Sequence, residues 1–169
     1  ALKSSSKLES VIEFGANVGL NLIAVKDLIP GVAATAVEIN ASAISKLKMI
    51  DDVKVVHGSI LESNKIEVYD LAMVIGFLIH IAPKYLPLAY ENIYRATRKY
   101  ILIGEYYSRQ PEEVSYRGYK NKLFKRDFAG EMLDKYTDLR LVDYGFFYHK
   151  DESSNLDDIT WFLMEKADI

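Results

Sequence analysis

The chain has 169 residues, half of them apolar and 27% charged, the composition of one soluble globular domain long enough to bury a core without staples. Its 21 Lys and Arg against 24 Asp and Glu leave a formal charge of −3, so the overall balance calls for neither nucleic acid nor an anionic membrane. The absence of cysteine excludes a disulfide scaffold, a zinc–thiolate site and a cysteine nucleophile, and agrees with a cytoplasmic setting.

Apolar runs alternate with helix-like segments along the chain. Residues 11–15 read as a short strand ending at Gly15, and 18–29 as a helix with Val18, Leu22, Val25, Leu28 and Ile29 on one stripe. Pro30-Gly31 stops that helix. A second strand over 33–39, a short helix over 41–50 and a third strand over 53–57 follow. The near-continuous apolar run 69–76 predicts a central parallel strand covered on both faces. A helix is predicted over 84–97, with Pro83 and Pro87 near its start, where proline is tolerated. The fifth strand is 100–106. Polar, aromatic residues with Pro111 and Gly118 make 107–121 a long loop, a length that usually signals function or disorder. A helix over 125–136 and two strands over 139–149 and 159–165 end the chain, the last two joined by a charged turn as an antiparallel hairpin.

Five βα units and a terminal hairpin define an α/β domain spanning 1–169, mostly parallel, with helices on both faces. The uncharged run 71–83 is too short for the ~20 residues of a membrane helix, and the first residues, ALKSSSK, lack the apolar stretch of a signal peptide.

Ligands of such sheets bind at the carboxyl ends of the strands, near the switch point. The first strand ends in Glu13-Phe14-Gly15-Ala16-Asn17-Val18-Gly19. Its glycines let a backbone approach a ligand, but the spacing departs from the G-x-G-x-x-G of dinucleotide binders, with Asn17 near the missing glycine. Glu13 would repel a pyrophosphate and attract an ammonium. Glu38, at the end of the second strand, is placed to accept hydrogen bonds from ribose hydroxyls. Gly58-Ser59-Ile60 would lie beside the adenine of the same ligand, and the segment from Gly76 and Phe77 to His80 where a cofactor meets its substrate. A solvated strand-end carboxylate and a structural glycine turn are the plain alternatives.

The order Glu13-x-Gly15-x-x-x-Gly19, Ala36-Val37-Glu38-Ile39-Asn40, Val56-His57-Gly58-Ser59 and Tyr69-Asp70-Leu71 leading to Leu78-Ile79-His80-Ile81 resembles the class I S-adenosylmethionine-dependent methyltransferases. Within them the chain is most similar to the pseudaminic acid biosynthesis-associated methylases. The residues carrying this are 13–22 (EFGANVGLNL), 100–107 (YILIGEYY), Tyr116-Arg117-Gly118, 123–130 (LFKRDFAG), 142–146 (VDYGF) and 157–162 (DDITWF). The resemblance implies a Rossmann-like sheet of seven strands with an antiparallel last strand. It implies S-adenosyl-L-methionine held by Glu13, Gly15, Asn17, Gly19, Glu38, Ile39, Ser59 and Ile60, with Ile75, Gly76 and Phe77 beside its methionine end. Ser59 stands where many members carry an acid. The helix that usually precedes the first strand is nearly absent, so an N-terminal cap segment is expected to be missing.

Methyl transfer is an in-line displacement that depends on positioning, and a hydroxyl acceptor also needs a base, whereas a nitrogen acceptor need not. His80 is the first candidate base and Glu105 the second; a packed helix-start histidine and a structural pair of Glu105 with Arg109 or Arg117 are the alternatives. Tyr106, Tyr107, Tyr116, Arg117 and Arg126 combine aromatic faces with guanidinium groups, which suits an acidic or nucleotide-linked sugar. RNA would match by stacking and phosphate contacts, but the acidic balance speaks against it, and a plain surface loop is the remaining reading. The three histidines show no metal-ligand spacing, so no metal is expected. Other expectations stay open: transfer to another small molecule, a protein or RNA; a nicotinamide-dependent oxidoreductase, which the glycine spacing and Glu13 disfavour; and a nucleoside-binding module without catalysis.

Overall fold

The computed structural model describes residues 8–62, 67–116, 118–152 and 156–167, with the side chains of 116 and 119–122 excepted. Strands β1 (Ser10–Phe14), β2 (Ala33–Glu38), β3 (Val53–His57), β4 (Tyr69–Ile75) and β5 (Thr97–Glu105) lie parallel to one another. Leaving out an inserted hairpin, β8 (Leu139–Phe147) and β9 (Ile159–Lys166) complete one seven-stranded sheet in the order β3-β2-β1-β4-β5-β9-β8. β9 runs antiparallel to both its neighbours, as the terminal hairpin predicts. The winding reverses between β1 and β4, and sheets of this kind open a crevice at such a point.

The central strands are apolar on both faces because both are covered. Ile12, Phe14, Ala72, Val74, Ile101 and Ile103 pack with α3 (Leu86–Arg95) and α4 (Phe128–Lys135). Val11, Leu71, Met73, Tyr100 and Leu102 share the other core with Leu22 and Val25 of α1 (Leu20–Leu28) and Leu47 of α2 (Ala41–Leu47). Short polar side chains set the helix starts: Asn40 Oδ1 accepts from the amides of Ser42 and Ala43 at 2.9 and 3.3 Å, and Asp127 Oδ1 from that of Gly130 at 2.8 Å. At the edge opposite the crevice, buried Asp70 accepts from the amides of Glu9 and Ser10 and from Arg98 Nε at 2.8 Å, fastening β1, β4 and β5 together.

Three expectations need correction. Residues 107–121 are not a loop: they contain β6 (Glu112–Tyr116) and the start of β7 (Tyr119–Lys125), an antiparallel pair turning at Gly118, φ 81. Leu123 of this hairpin enters the α3–α4 core, which fixes it despite its polar composition. The helix expected over 125–136 is α4, Phe128–Lys135; Lys125 ends β7, and the helix starts where Asp127 caps it. The third crossover carries, among the described residues, a single 3-10 turn, Ile60–Glu62, in place of an α-helix.

Candidate functional site

Backbone geometry shapes the turn after β1. Gly15 (φ 71), Asn17 (φ 49) and Gly19 (φ 85) are all left-handed, a conformation glycine enters freely and asparagine tolerates. The amides of Gly15 and Ala16 donate to the carbonyl of Val37 at 2.9 and 3.2 Å, pinning the turn to the end of β2. Glu38 closes it from the other side. Its Oε2 accepts from the amide of Asn17 and its Oε1 from those of Ile39 and Asn40, each at 2.8 Å. A carboxylate offers about four acceptor sites, so three amides orient Glu38 and leave room for one ligand hydroxyl.

A cavity of about 150 Å3 opens beside this turn at the carboxyl edge of the sheet; of the expected cofactor residues, Glu13, Asn17, Gly19, Ile75 and Gly76 are not among those lining it. Gly15, Val37, Glu38 and Ile39 line it from the ends of β1 and β2. Gly58, Ser59 and Ile60 come in after β3, and Phe77 and Ile81 after β4. The cavity is smaller than the ~300–1,000 Å3 of most small-molecule sites, so a ligand seated here extends past it. The Phe77 ring lies over Gly15, in the space that a Cβ at that position would need. Ser59 Oγ accepts from the amide of Leu61 at 3.1 Å, and Glu62 Oε2 from the amide of Ser59 at 3.4 Å. Glu62 thus places an acid beside the position where Ser59 replaces one.

Glu13 is fully buried. Its Oε1 accepts from Asn21 Nδ2 at 2.7 Å, and its Oε2 has no hydrogen-bond partner. Burial above all, with the nearby charge of Glu38, pushes its carboxyl up to about 7, against the pull of Asn21. Gly19 plays a packing role: a Cβ there would strike Leu47 and Ile50, so its small size lets α1 and α2 approach.

Glu105 is also buried, and it holds the turn after β4. Its Oε1 accepts from the amides of Phe77 and Leu78 at 2.9 and 2.7 Å, while Oε2 is buried with no partner. Burial pushes its carboxyl up to about 8, opposed by the amides of Leu78, Phe77 and Ile79. Its observed partners are backbone groups. Gly76 (φ 61) opens the turn, and His80 ends the 3-10 turn Leu78–His80 with its side chain exposed. Ile75 faces away from the cavity, into an apolar groove on the α1 side with Met73, Leu102 and Trp161.

The residues expected to hold a substrate do not converge on one point. Tyr106 lies beyond β5 and donates to Asp157 Oδ2 at 2.5 Å. Tyr107 is partly exposed, bridges in parallel to Arg126 and sits 6.1 Å from the Phe162 ring. The Arg126 side chain points to α4, where Nε meets Glu131 Oε1 at 2.6 Å, and Tyr90 donates to the other oxygen of Glu131 at 2.8 Å. Arg117 and the side chain of Tyr116 lie outside the described residues. Among the described residues no group of three His, Asp or Glu is placed to hold a metal, and no helix is long and apolar enough to cross a membrane.

Sequence reasoning gave Val37 and Ile81 no site role beyond the motifs that contain them, and passed over Glu62. Val37 carries its role in a carbonyl, which any residue supplies. Ile81 follows a short 3-10 turn and Glu62 ends another, and such turns leave no periodic signal.

No protein-family model and no curated protein matches the chain. Solved structures do match it in fold. A 1,6-didemethyltoxoflavin-N1-methyltransferase from Burkholderia thailandensis, with its substrate and S-adenosylhomocysteine bound, superposes at a TM-score of 0.74 with 17% identity, over 94% of this chain and 71% of that one. The O-methyltransferase of a trans-AT polyketide synthase multienzyme from Brevibacillus brevis, bound to S-adenosylhomocysteine, gives 0.72 with 14% identity, over 95% and 67%. The magnesium protoporphyrin IX methyltransferase of Synechocystis, with S-adenosylmethionine bound, gives 0.70 with 10% identity, over 97% and 72%. The chain has the Rossmann-like fold of the S-adenosylmethionine-dependent methyltransferases, including the antiparallel strand set between β5 and β8.

Proposed function

We propose that the protein is an S-adenosylmethionine-dependent methyltransferase acting on a small molecule, and that its acceptor is an acidic or nucleotide-linked sugar of the nonulosonic, pseudaminic-like class. The observation carrying the first part is the Glu38 carboxylate, oriented by three amides and lining a cavity that Gly15 and Phe77 also line. The residues fit the donor. Glu38 offers a ribose its remaining acceptor site, Ser59 and Ile60 border the adenine side, and Asn17 and Ile39 contribute the amides that aim Glu38. Glu13 is buried outside the cavity lining with one oxygen unpaired, and an ammonium placed near it would draw its proton off. The donor supplies an activated methyl group; the chain's task is to hold the acceptor in line and dry.

The nonulosonic acceptor follows from the resemblance of segments 100–107, 123–130 and 157–162, and from the aromatic and basic residues beyond β5. The fold neighbours methylate chemically diverse small molecules, so another small-molecule acceptor is the second reading. Calorimetry with S-adenosylhomocysteine tests the donor: saturable one-site binding is expected, and none at millimolar ligand on folded protein ends the reading. Mass spectrometry of incubations with S-adenosylmethionine and a panel of nonulosonic acids tests the acceptor, a gain of one methyl group being the expected product.

A further inference from the structure

The two outer edges of the sheet are finished differently. β3 is five residues long and carries Lys54 and His57, the short, charged kind of strand that keeps an edge from pairing. β8 is nine residues long, and among the described residues no strand pairs with its outer side. Its first half is blunted: a bulge falls between Leu141 and Asp143, and Asp143 Oδ1 accepts from the amide of Tyr144 at 2.9 Å. Residues 144–148 read YGFFY, with no charge and no proline. Tyr144, Phe146, Phe147 and Tyr148 are all exposed, Tyr144 by 66% and Phe146 by 58%. Leu141 and Val142 are exposed as well, and among the described residues no other strand or helix carries as many exposed large apolar side chains as β8. An uncharged, aromatic edge of this kind is a template for another strand.

We propose that a second copy of the chain pairs with this edge, β8 running antiparallel to β8 of the partner about a two-fold axis at Phe146, so that the two sheets join into one. The inference is independent of the methyltransferase reading. The strand itself specifies this occupant, because an antiparallel pairing of like with like is isologous and uses the same edge on both chains. On the face shared with Phe162, Phe146 meets its own copy and each Tyr144 meets the partner's Tyr148, extending a row in which Phe146 and Tyr148 already lie 6.3 Å apart. On the other face each Phe147 lies across from the partner's Gly145, over which a Trp161 ring already lies, so aromatic packs against aromatic. Asp143 then comes opposite the partner's His149, an acid against an imidazole. A register centred on Asp143 would set that carboxylate against its own copy, and centres at Tyr144 or Gly145 would draw the bulge into the ladder. At ~150–250 Å2 a ring, four half-exposed rings offer on the order of 400 Å2 per copy. Leu141, Val142 and the main chain bring the pair near the ~1,000 Å2 at which specific interfaces begin. A weak dimer that dissociates in the micromolar range is therefore expected.

The test is sedimentation equilibrium of the full chain from micromolar to hundreds of micromolar, where a reversible monomer–dimer equilibrium is expected. Phe146→Lys sets two ammonium groups against each other at the axis and should weaken the dimer at least 100-fold. Val56→Lys, on the β3 edge, should leave it within about twofold, with circular dichroism and unfolding midpoints showing that both variants fold. The chain has no cysteine, so Phe146→Cys carries its only thiol. Residues directly opposite in an antiparallel pair have Cα atoms ~4.5–5.5 Å apart, within disulfide reach, and oxidation should join two chains there. Asp143→Cys, three residues from the axis, should stay unjoined. A wild type that is monomeric throughout overturns the proposal and leaves the edge to a strand of a different protein. A dimer that persists in Phe146→Lys, or oxidation that joins Asp143→Cys as readily as Phe146→Cys, overturns it too.

Discussion

The two ends of the sheet's carboxyl edge are built differently. Around β1 and β2 the cleft is held by backbone: left-handed glycines, two amides on one carbonyl, and three amides on Glu38. Around β5, β9 and β8 a second hollow, the basin lined by Tyr106, Lys125, His149, Asp157 and Asp158, is held by side chains from distant parts of the chain, such as Tyr106 on Asp157 and Lys125 beside Tyr106. The first kind of construction suits a ligand whose shape does not vary. The second can change by single substitutions without disturbing the fold, so it is free to vary where the first is not.

The sharpest way to break this contrast is at Gly15. A valine there must adopt φ 71 and would collide with the Phe77 ring, and positive φ is a genuine outlier for a β-branched residue. Gly15→Val should weaken S-adenosylhomocysteine binding by more than about 100-fold, roughly 3 kcal/mol, whereas Asp157→Ala should leave it within about twofold. Equal losses in calorimetry would show that the two ends are not separable.

Glu105 ties the end of β5 to the turn after β4, so its loss should be felt in stability. Glu105→Leu strands the amides of Phe77 and Leu78 inside the protein, at a cost of about 2–4 kcal/mol. Glu105→Gln keeps an acceptor and removes the charge. Burial raises both Glu105 and Glu13, to about 8 and about 7. The folded state therefore binds more protons than the unfolded one between roughly pH 4.5 and 8, and stability falls as pH rises through that window. Denaturant titrations from pH 5 to 8 should show this decline in the wild type and a shallower one in Glu105→Gln. A flat wild-type profile would mean that both carboxyls ionise freely.

Glu38→Ala comes next. It removes the acceptor proposed for the ribose, and charge-assisted hydrogen bonds contribute about 1.5–3 kcal/mol, so S-adenosylhomocysteine affinity should drop roughly 10- to 100-fold by calorimetry. A smaller loss would place the ribose elsewhere.

The same contrast explains what could be read from the sequence. The parallel core, the terminal hairpin and the turn from Glu13 to Gly19 were legible because each is local: an apolar run, a period, a glycine before a helix. The pairing of β1 with β4 was not legible, because strand order depends on contacts far apart in the chain. Asp157-Asp158 reads as a plain turn, and His149 as a strand end, because their partners lie across the basin in space and not at any fixed spacing along the chain. The β6–β7 hairpin was hidden by its polar strands, although Tyr116-Arg117-Gly118-Tyr119 carries the aromatic flanks and glycine of a tight reversal.

The smallest effect is expected at Arg126, and it decides which end of the edge that residue serves. Its guanidinium is engaged by Glu131, both side chains are partly exposed, and Glu131 keeps the Tyr90 hydroxyl if Arg126 is removed. Partly exposed ion pairs contribute about 0.2–1 kcal/mol, so Arg126→Ala should lower stability by no more than about 1 kcal/mol. If Arg126 only fastens α4 to the hairpin, KM for a sugar acid acceptor stays at the wild-type value. A tenfold rise in KM with unchanged stability would instead show that the arginine leaves Glu131 when substrate arrives. The basin would then include a cation that the ligand-free protein holds in reserve on its neighbouring helix.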